Sequence, residues 1–414
     1  MNKKENTGLV PKLRFLEFNS EEAWIRSKIR KYLKESKVKG NTGDTAKRLT
    51  VKLWGNGVFE KKDTLRGSEN TQYYRRKSGQ FIYSKLDFLN QAFGIIPEHL
   101  DNYESTVDLP CFDIDKDLDS KFLLEYVQRK SFYNKYGKIA DGGRKAKRIQ
   151  IETFLEFPIY LPKLPEQQKI ANCLTSLDEL ITAESRKLEI LKKHKKGLMQ
   201  KLFPAEGKAV PEIRFIGYSD AWERRKLEDG THKIGDGIHG TPIYEDNGKI
   251  AFINGNNLVN GQINITSQTK FVSESQITAN DRSLNDDTIL MSINGTIGNL
   301  AWYKGENIML GKSAAYLEVD SFDKAFMYIL LQTDSVKKHF LDNLTGATIK
   351  NLGLKTIRET PVTIPSPPEQ NVIGEFFRNL DELITAQAEK IEVLKLHKKG
   401  LMQGLFPSTQ EVIE

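Results

Sequence analysis

The chain has 414 residues, with 62 Lys and Arg against 55 Asp and Glu, a formal net charge of +7 and a pI near 9.0. That length suits two to four domains, and the basic balance admits a polyanionic partner without requiring one. Its two cysteines, Cys111 and Cys173, give no disulfide framework and no metal spacing, which fits a reducing cytosol; no apolar run reaches membrane-spanning length, and the N-terminus lacks the apolar core of a signal peptide, so a cytoplasmic protein is expected.

Residues 1–23 read as an N-terminal segment carrying "VPKLRFLEF" from Val10. Residues 24–164 read as a globular domain of short β-type runs broken by Gly, Asn and Asp turns. Within it, "GQFIYSKLDFL" reads as a strand and turn, and "KRIQIETFLEFPIYLP" as an element running into a helix. "FDIDKDLD" has the alternating acids of a calcium loop, but Leu118 replaces the required glycine and Leu124 the closing glutamate. A helix cap before "SKFLLEYV" is the expected role. Two stretches are basic: "YYRRKSG", with Arg75, Arg76 and Lys77 beside aromatics, and "GGRKAKR", with Arg144, Lys145, Lys147 and Arg148. Such cations can neutralise phosphates or reach base edges, although each stretch alone also reads as a solvated surface loop.

Residues 165–204 predict a long helix. Ile170, Leu174, Leu177, Ile181, Leu188, Leu191, Leu198 and Leu202 step by three and four, the seam of a coiled coil. Pro165 suits the helix start, Glu166 suits the positive end of the dipole, and lysines crowd the last turns. At about 1.5 Å per residue such a helix is on the order of 55 Å long. Gly197 costs roughly 1 kcal/mol inside a helix, so the helix bends there or something packs against its bare backbone.

Residues 205–221 form a linker in which "VPEIRFIGY" echoes the opening segment. Residues 222–367 read as a second globular domain, unlike the first. "KIAFINGNNLV", "GQINITSQTKFV", "DTILMSINGTIGNLAWY" and "AAYLEV" read as strands between turns, and "FDKAFMYILLQTDSVKKHFLDNL" as one helix of moderate length. The loops "GDGIHGTP", "SINGTIGN", "LGKSAA" and "LTGATIK" are rich in Gly, Ser, Thr and Asn, which let backbone N–H groups and hydroxyls approach phosphates.

Residues 368–407 repeat the long helix, and residues 408–414 form a tail. About 25 of 40 positions match the first copy without a gap. The second seam runs Ile373, Phe377, Leu380, Ile384, Ile391, Leu394, Leu401 and Leu405, and Gly400 repeats Gly197. Polar interruptions fall at matching places, Glu184 with Gln387 and Lys195 with Lys398, where they can set register. A helix with one apolar seam needs a partner, and the other copy is the nearest. The fold class expected is therefore α+β: two α/β-mixed domains on a repeated frame, with two long helices paired as a coiled coil within one chain.

No catalytic pattern survives inspection. "ENIMLGKS" resembles a phosphate-binding loop, but Glu306 stands where its first glycine belongs. His194 and His397 occupy identical repeat positions; a ligand pair and a helix-terminal pair beside a lysine run are both open. No H-E-x-x-H, G-x-S-x-G or G-x-G-x-x-G is present, and no metal site is read.

The order of a variable domain, "LPKLPEQQKIANCLTSLDELI…KKGLMQKLFP", then "VPEIRFIGYSDAWERRKL", a second variable domain and "IPSPPEQNVIGEFFRNLDELI…KKGLMQGLFP" resembles the specificity subunit of a type I restriction–modification enzyme over essentially the whole chain. The resemblance implies two target recognition domains, each reading one half of a bipartite, asymmetric site in double-stranded DNA. It implies two long antiparallel coiled-coil helices, with a pseudo-twofold internal repeat, that separate the two domains, act as a ruler and dock two methyltransferase subunits, a docking surface expected at Gly197, Met199, Phe203, Gly400, Met402 and Phe406. Restriction–translocase subunits would join the assembly. S-adenosylmethionine, ATP and Mg2+ would belong to those partners, and this chain would bind no cofactor and be non-catalytic by itself. By the same resemblance His239, Thr241, Asn294, Thr296, Lys312, Ser313, Thr348 and Lys350 face DNA in the second domain. Ser84 and Lys85, with Arg75 and Arg76, do so in the first. A helix spacing of some 35–55 Å would centre the half-sites roughly 10–16 base pairs apart. Competing readings are an enzyme that modifies DNA through one variable domain, a scaffold with no nucleic-acid role, and a stand-alone antitoxin or adaptor.

Overall fold

Each copy of the repeat folds as one unbroken helix, Leu164–Leu202 and Pro367–Leu405, 39 residues apiece. The computed structural model describes residues 8–43, 45–62, 68–139 and 148–408. The chain divides into two compact units, Met1–Ser185 with Lys390–Glu414, and Arg186–Glu389. Each unit holds the start of one long helix and the end of the other.

In the first unit the two helix segments run antiparallel. Asp178 Oδ2 lies 2.6 Å from Lys398 Nζ, and Glu184 Oε1 lies 2.6 Å from Lys390 Nζ, so numbers rise on one segment as they fall on the other. In the second unit Lys195 Nζ reaches Asp381 Oδ1 at 2.7 Å, the repeat counterpart of the Lys398–Asp178 pair. The seam is visible in burial. Ile170, Leu174, Ile373, Phe377, Ile391, Leu202 and Leu405 are buried, and the remaining seam residues are half-buried between exposed neighbours. Burying such a side chain fully contributes about 1.5–3 kcal/mol against leaving it in water, so the seam is what keeps so long a helix folded. The polar interruptions are matched by partners: Glu184 by Lys390, Lys195 by Asp381 and Lys398 by Asp178. Gly197 and Gly400 resolve differently from expectation. A methyl group at either would meet nothing within 4 Å, and both lie inside an uninterrupted helix.

The frame around the helices is built twice from matching residues. Arg14 clasps Glu166 through both nitrogens, at 2.9 and 2.7 Å, and Arg214 clasps Glu369 at 2.8 and 2.6 Å. The short echoes around Val10 and Val210 thus tie down the starts of the two long helices. Gln167 Oε1 accepts from Asp119 N–H and Gln370 Oε1 from Asp323 N–H, both at 3.0 Å. Asp119 and Asp323 in turn cap short helices by accepting from Phe122 and Phe326 N–H at 2.8 Å. The capping role expected for the end of "FDIDKDLD" is the one found.

Around these frames the two domains diverge. The first unit has a four-stranded antiparallel sheet in the order Leu33–Ser36, Cys111–Ile114, Phe81–Tyr83, Phe93–Ile95, and a three-stranded sheet in the order Val38–Thr42, Gln72–Arg75, Glu104–Ser105. Its core is aromatic: Phe81, Tyr83, Phe88, Phe112 and Phe154 lie ring against ring. Burial pushes the Tyr83 phenol far up from its ordinary value, and its hydroxyl donates to Ile149 O at 3.0 Å. The second unit has a four-stranded sheet in the order Thr231–Asp236, Ala314–Val319, Thr288–Ser292, Leu300–Trp302, beside a three-stranded sheet built on Ile250–Ile253. The four sequence stretches expected to be strands in this domain each contain strand, although "GQINITSQTKFV" is strand only at Gln262–Ile263 and Phe271–Val272. The single helix expected after Phe322 is two, Lys324–Leu330 and Asp334–Asp342. Thr333 divides them: its backbone is extended (φ −64°, ψ 151°) and its hydroxyl donates back to Leu330 O at 2.7 Å.

Candidate nucleic-acid interface

In the second unit the four Gly- and Asn-rich loops, spread over more than a hundred residues of sequence, meet at one place. Ile238 of "GDGIHGTP" bridges Gly311 of "LGKSAA", and Lys312 N–H donates to Ile238 O at 2.9 Å. Asn294 of "SINGTIGN" bridges Asn351 beside "LTGATIK", and Leu352 N–H donates to Ile293 O at 2.8 Å. The first contact depends on Gly237, where a Cβ would stand 2.0 Å from Leu310 O. The last loop turns at Gly346 (φ 87°), where a Cβ would stand 2.2 Å from Ile349 O, and Thr345 and Asn351 close its base with two backbone hydrogen bonds of 2.9 Å.

Together the loops line a cavity of about 420 Å³ with Asp236, His239, Asn294, Lys312 and Asn351 among its walls. His239 Nε2 lies 2.9 Å from Asp236 Oδ2, which orients an otherwise exposed ring. Lys312 is exposed at the rim, and Thr241, Thr296, Thr348 and Lys350 are exposed on the same four loops. The arrangement offers donors (lysine, the Asn amides) and one carboxylate acceptor in a concave setting, the mix that can contact both phosphates and base edges. Ser313 departs from expectation. Its hydroxyl donates to Asn254 Oδ1 and accepts from Gly255 N–H, both at 2.9 Å, so it holds the loop rather than facing a ligand. Asp236 and Asn351 were not singled out in the sequence; Asp236 lay within a quoted loop, but nothing there marks an acid as part of a basic interface.

In the first unit Arg75 and Lys77 are exposed and Lys85 is half-buried. Arg76 is only 2% exposed, which corrects its expected DNA-facing role. Its guanidinium donates to Ser36 O, Ser105 Oγ and Leu109 O at 2.6, 2.8 and 3.3 Å, and burial draws its pKa down. Arg75 ends the strand Gln72–Arg75, and Arg76, the residue after it, turns inward. Ser84 is likewise buried and bonded to Asp87. Arg148 lies 3.5 Å from Asp108, while Arg144, Lys145 and Lys147 lie outside the described residues.

Two residues of the expected docking set, Phe203 and Phe406, are also corrected, while Gly197 and Gly400 are not buried. Phe203 and Phe406 are buried in the cores of their own units, Phe203 against Trp222 and Phe326, and Phe406 against Trp24 and Phe122. Met199 and Met402 pack onto the same cores. The apolar side chains the long helices do present to solvent include Leu180 and Leu383, and Ile190 and Val393, again at matching repeat positions.

Among the described residues no cluster of His, Cys, Asp and Glu could hold a metal ion, and no helix is long and apolar enough to cross a membrane.

The family model described as the type I restriction modification DNA specificity domain matches residues 109–193 and 219–396, more than half of the chain. The chain belongs to this family. The putative type I restriction enzyme MjaX specificity subunit of Methanocaldococcus jannaschii is 25% identical over 301 residues, 69% of this chain and 66% of that one. The MjaVIII specificity subunit of the same organism is 24% identical over 270 residues, 62% of this chain and 63% of that one. This chain therefore aligns with just under two thirds of the length of these two curated relatives. Among solved structures, the S subunit of a type I restriction–modification system from M. genitalium superposes with a TM-score of 0.60 at 17% identity, covering 97% of this chain and all of that one. A chain from a study of type I restriction–modification complex assembly gives 0.55 at 15% identity, covering 93% and 98%. These structures establish the likeness of fold: mixed helix and strand with two long helices.

Proposed function

We infer that this member of the specificity-domain family is the DNA-reading subunit of a type I restriction–modification complex, without a chemical step of its own. The observation that carries the reading is the convergence of four separate loops on His239, Asn294 and Lys312 around one cavity. Each unit would read one half of a bipartite site in double-stranded DNA, and because the two domains differ the site would be asymmetric. In the first unit Arg75, Lys77 and Lys85 would contribute cations. The long helices, 39 residues each and so on the order of 58 Å, would set the spacing of the half-sites. Leu180, Ile190, Leu383 and Val393 would offer the docking faces for two methyltransferase subunits, the repeat supplying the same surface twice. Restriction–translocase subunits would complete the assembly, S-adenosylmethionine, ATP and Mg2+ would be bound by the partners, and the complex would work in the cytoplasm.

The decisive experiment is methylation mapping in a host expressing this chain with its methyltransferase. A gapped, asymmetric motif is expected. Inserting one heptad into both long helices should lengthen the gap and leave the half-sites unchanged; an unaltered gap would refute the ruler, and methylation independent of this chain would refute the reading.

A further inference from the structure

Asp236 is the one acid among the described residues that line the second unit's cavity, where its polar neighbours are His239, Asn294, Lys312 and Asn351. Of these five it alone belongs to a strand of the four-stranded sheet, the last residue of Thr231–Asp236. It pairs with Ala315 on the neighbouring strand, and Gly237 N–H, one residue on, donates to Ala314 O at 3.2 Å. A side chain carried by a strand is held more precisely than one carried by a loop. The fold therefore gives its most exact placement in this cavity to a negative charge.

That charge is only half committed. Oδ2 lies 2.9 Å from His239 Nε2, while Oδ1 has no hydrogen-bond partner among the described residues, and no ion pair joins Asp236 to Lys312. Holding His239 does not account for the acid, since that side chain is 76% exposed and the second oxygen is left over. An ionised carboxylate only accepts, and it repels phosphates, so it works against a surface whose one task is to be basic. On a duplex, the groups that can satisfy it are the exocyclic amines of the bases. Cytosine presents N4 in the major groove with no acceptor beside it on its own base. Adenine presents N6 next to the N7 lone pair, which suits the donor and acceptor of an amide and repels a carboxylate. The guanine opposite cytosine shows O6 and N7, which take a lysine. Asp236 and Lys312, set in one cavity without pairing, are thus the charge complement of a single C·G pair.

We propose that Asp236 is a specificity-determining residue that accepts from cytosine N4 in the major groove and so selects a C·G pair in the half-site of the second unit. The proposal rests on the DNA-reading function above and names a base for that site. It is tested with the full chain co-expressed with its methyltransferase, by selecting bound duplexes from a pool of randomised sequence and sequencing them. Wild type should enrich a gapped motif with cytosine in at least one position of one half. Asp236→Ala should lower the preference for that cytosine roughly ten- to hundredfold and leave the rest of the motif intact. It should also bind scrambled duplex more tightly than wild type, because a charge that repels phosphates is gone. Asp236→Asn, of the same shape, should accept adenine there as well as cytosine, its amide supplying the donor that N7 requires. Inosine in place of the guanine opposite that cytosine removes the minor-groove amine and should leave wild-type binding unchanged. Retention of the full cytosine preference by Asp236→Ala would overturn the proposal, as would relaxation at an A·T position instead, or loss of binding to the inosine duplex. Loss of the entire half-motif in both variants would make Asp236 a support of the loops and overturn it too. A wild-type chain that enriches no motif would defeat the DNA-reading function itself, and this contact with it.

Discussion

Arg14 and Glu166, 152 residues apart in sequence, form a bidentate ion pair whose side chains are 6% and 2% exposed, and Arg214 and Glu369 repeat it in the second unit. The pairs are not equally complete. Trp24 Nε1 also donates to Glu166 Oε1 at 3.3 Å, whereas the buried Trp222 Nε1 and Arg214 Nη1 find no partner among the described residues. Removing one member of a buried pair leaves the other charge unpaired in a poor solvent. Arg14→Met should therefore destabilise the first unit by about 3 kcal/mol, and Arg214→Met the second by a similar amount. Chemical denaturation followed by fluorescence would check both. A loss below about 1 kcal/mol would mean that the clasp is dispensable to the frame.

Lys398 sits between two carboxylates, 2.6 Å from Asp178 and 3.2 Å from the buried Glu125, whose second oxygen has no partner among the described residues. Burial lowers the Lys398 pKa, but Glu125 and Asp178 more than offset it, so the net shift is upward; burial raises Glu125, with Lys398 offsetting in part. Lys398→Met should cost about 3 kcal/mol at neutral pH, and adding Glu125→Gln should recover part of it. The sign of the pH effect follows from the raised carboxyl. A group whose pKa is higher folded than unfolded contributes most below its unfolded value, and that contribution fades as pH rises through the folded value. Lowering the pH from neutral through the carboxylate range should thus favour wild type over Glu125→Gln. Urea midpoints of the two proteins across that range would show it, and a constant difference would contradict it.

Part of the repeated frame was legible because some of its devices are local or periodic. Seam leucines recur at three and four, and Asp119 stands one residue before the helix it caps. The two ends of Arg14–Glu166 were both visible, yet nothing local reveals that they meet; Glu166 reads as a dipole partner until the structure supplies its arginine. The same limit governs the interface. Loop composition pointed to the four segments that converge on the cavity. It could not separate His239, Asn294 and Lys312, which line it, from Ser313, one residue on, whose hydroxyl is consumed by Asn254 and Gly255. Phe203 and Phe406 failed as docking residues because a terminal Leu-Phe-Pro looks the same whether the ring turns out to a partner or in to its own core.

Arg75 and Arg76 offer a paired test of that limit, since they are adjacent in sequence and opposite in environment. Arg76→Ala would remove the guanidinium's bonds to Ser36 O, Ser105 Oγ and Leu109 O, of which Leu109 O keeps the Ser105 hydroxyl, and should destabilise the first unit by about 3 kcal/mol. Arg75→Ala should leave stability within about 0.5 kcal/mol and weaken DNA binding with a shallower salt dependence. Thermal melts and salt titrations of both variants separate the roles. The reverse assignment of effects would move the DNA-facing side of this strand to the other face.

The second-domain cavity depends on backbone approach as much as on charge, and two substitutions distinguish these contributions. Gly237→Ala would place a methyl group against the Leu310 carbonyl, which is backbone and cannot swing aside, so the bridge between Ile238 and Gly311 must part. Lys312, whose N–H bonds Ile238 O, would move with it. Lys312→Ala leaves the loops joined and removes only a cation. It should weaken binding almost uniformly across sequences and lower the salt slope by about one. Gly237→Ala should instead reduce discrimination between target and non-target DNA, because it displaces His239 and Lys312 relative to Asn294 while leaving every charge in place. Competition binding with the mapped target and with scrambled duplexes, each measured over a range of salt, would resolve the two. If Gly237→Ala kept full discrimination, the joined loops would not be what reads the half-site.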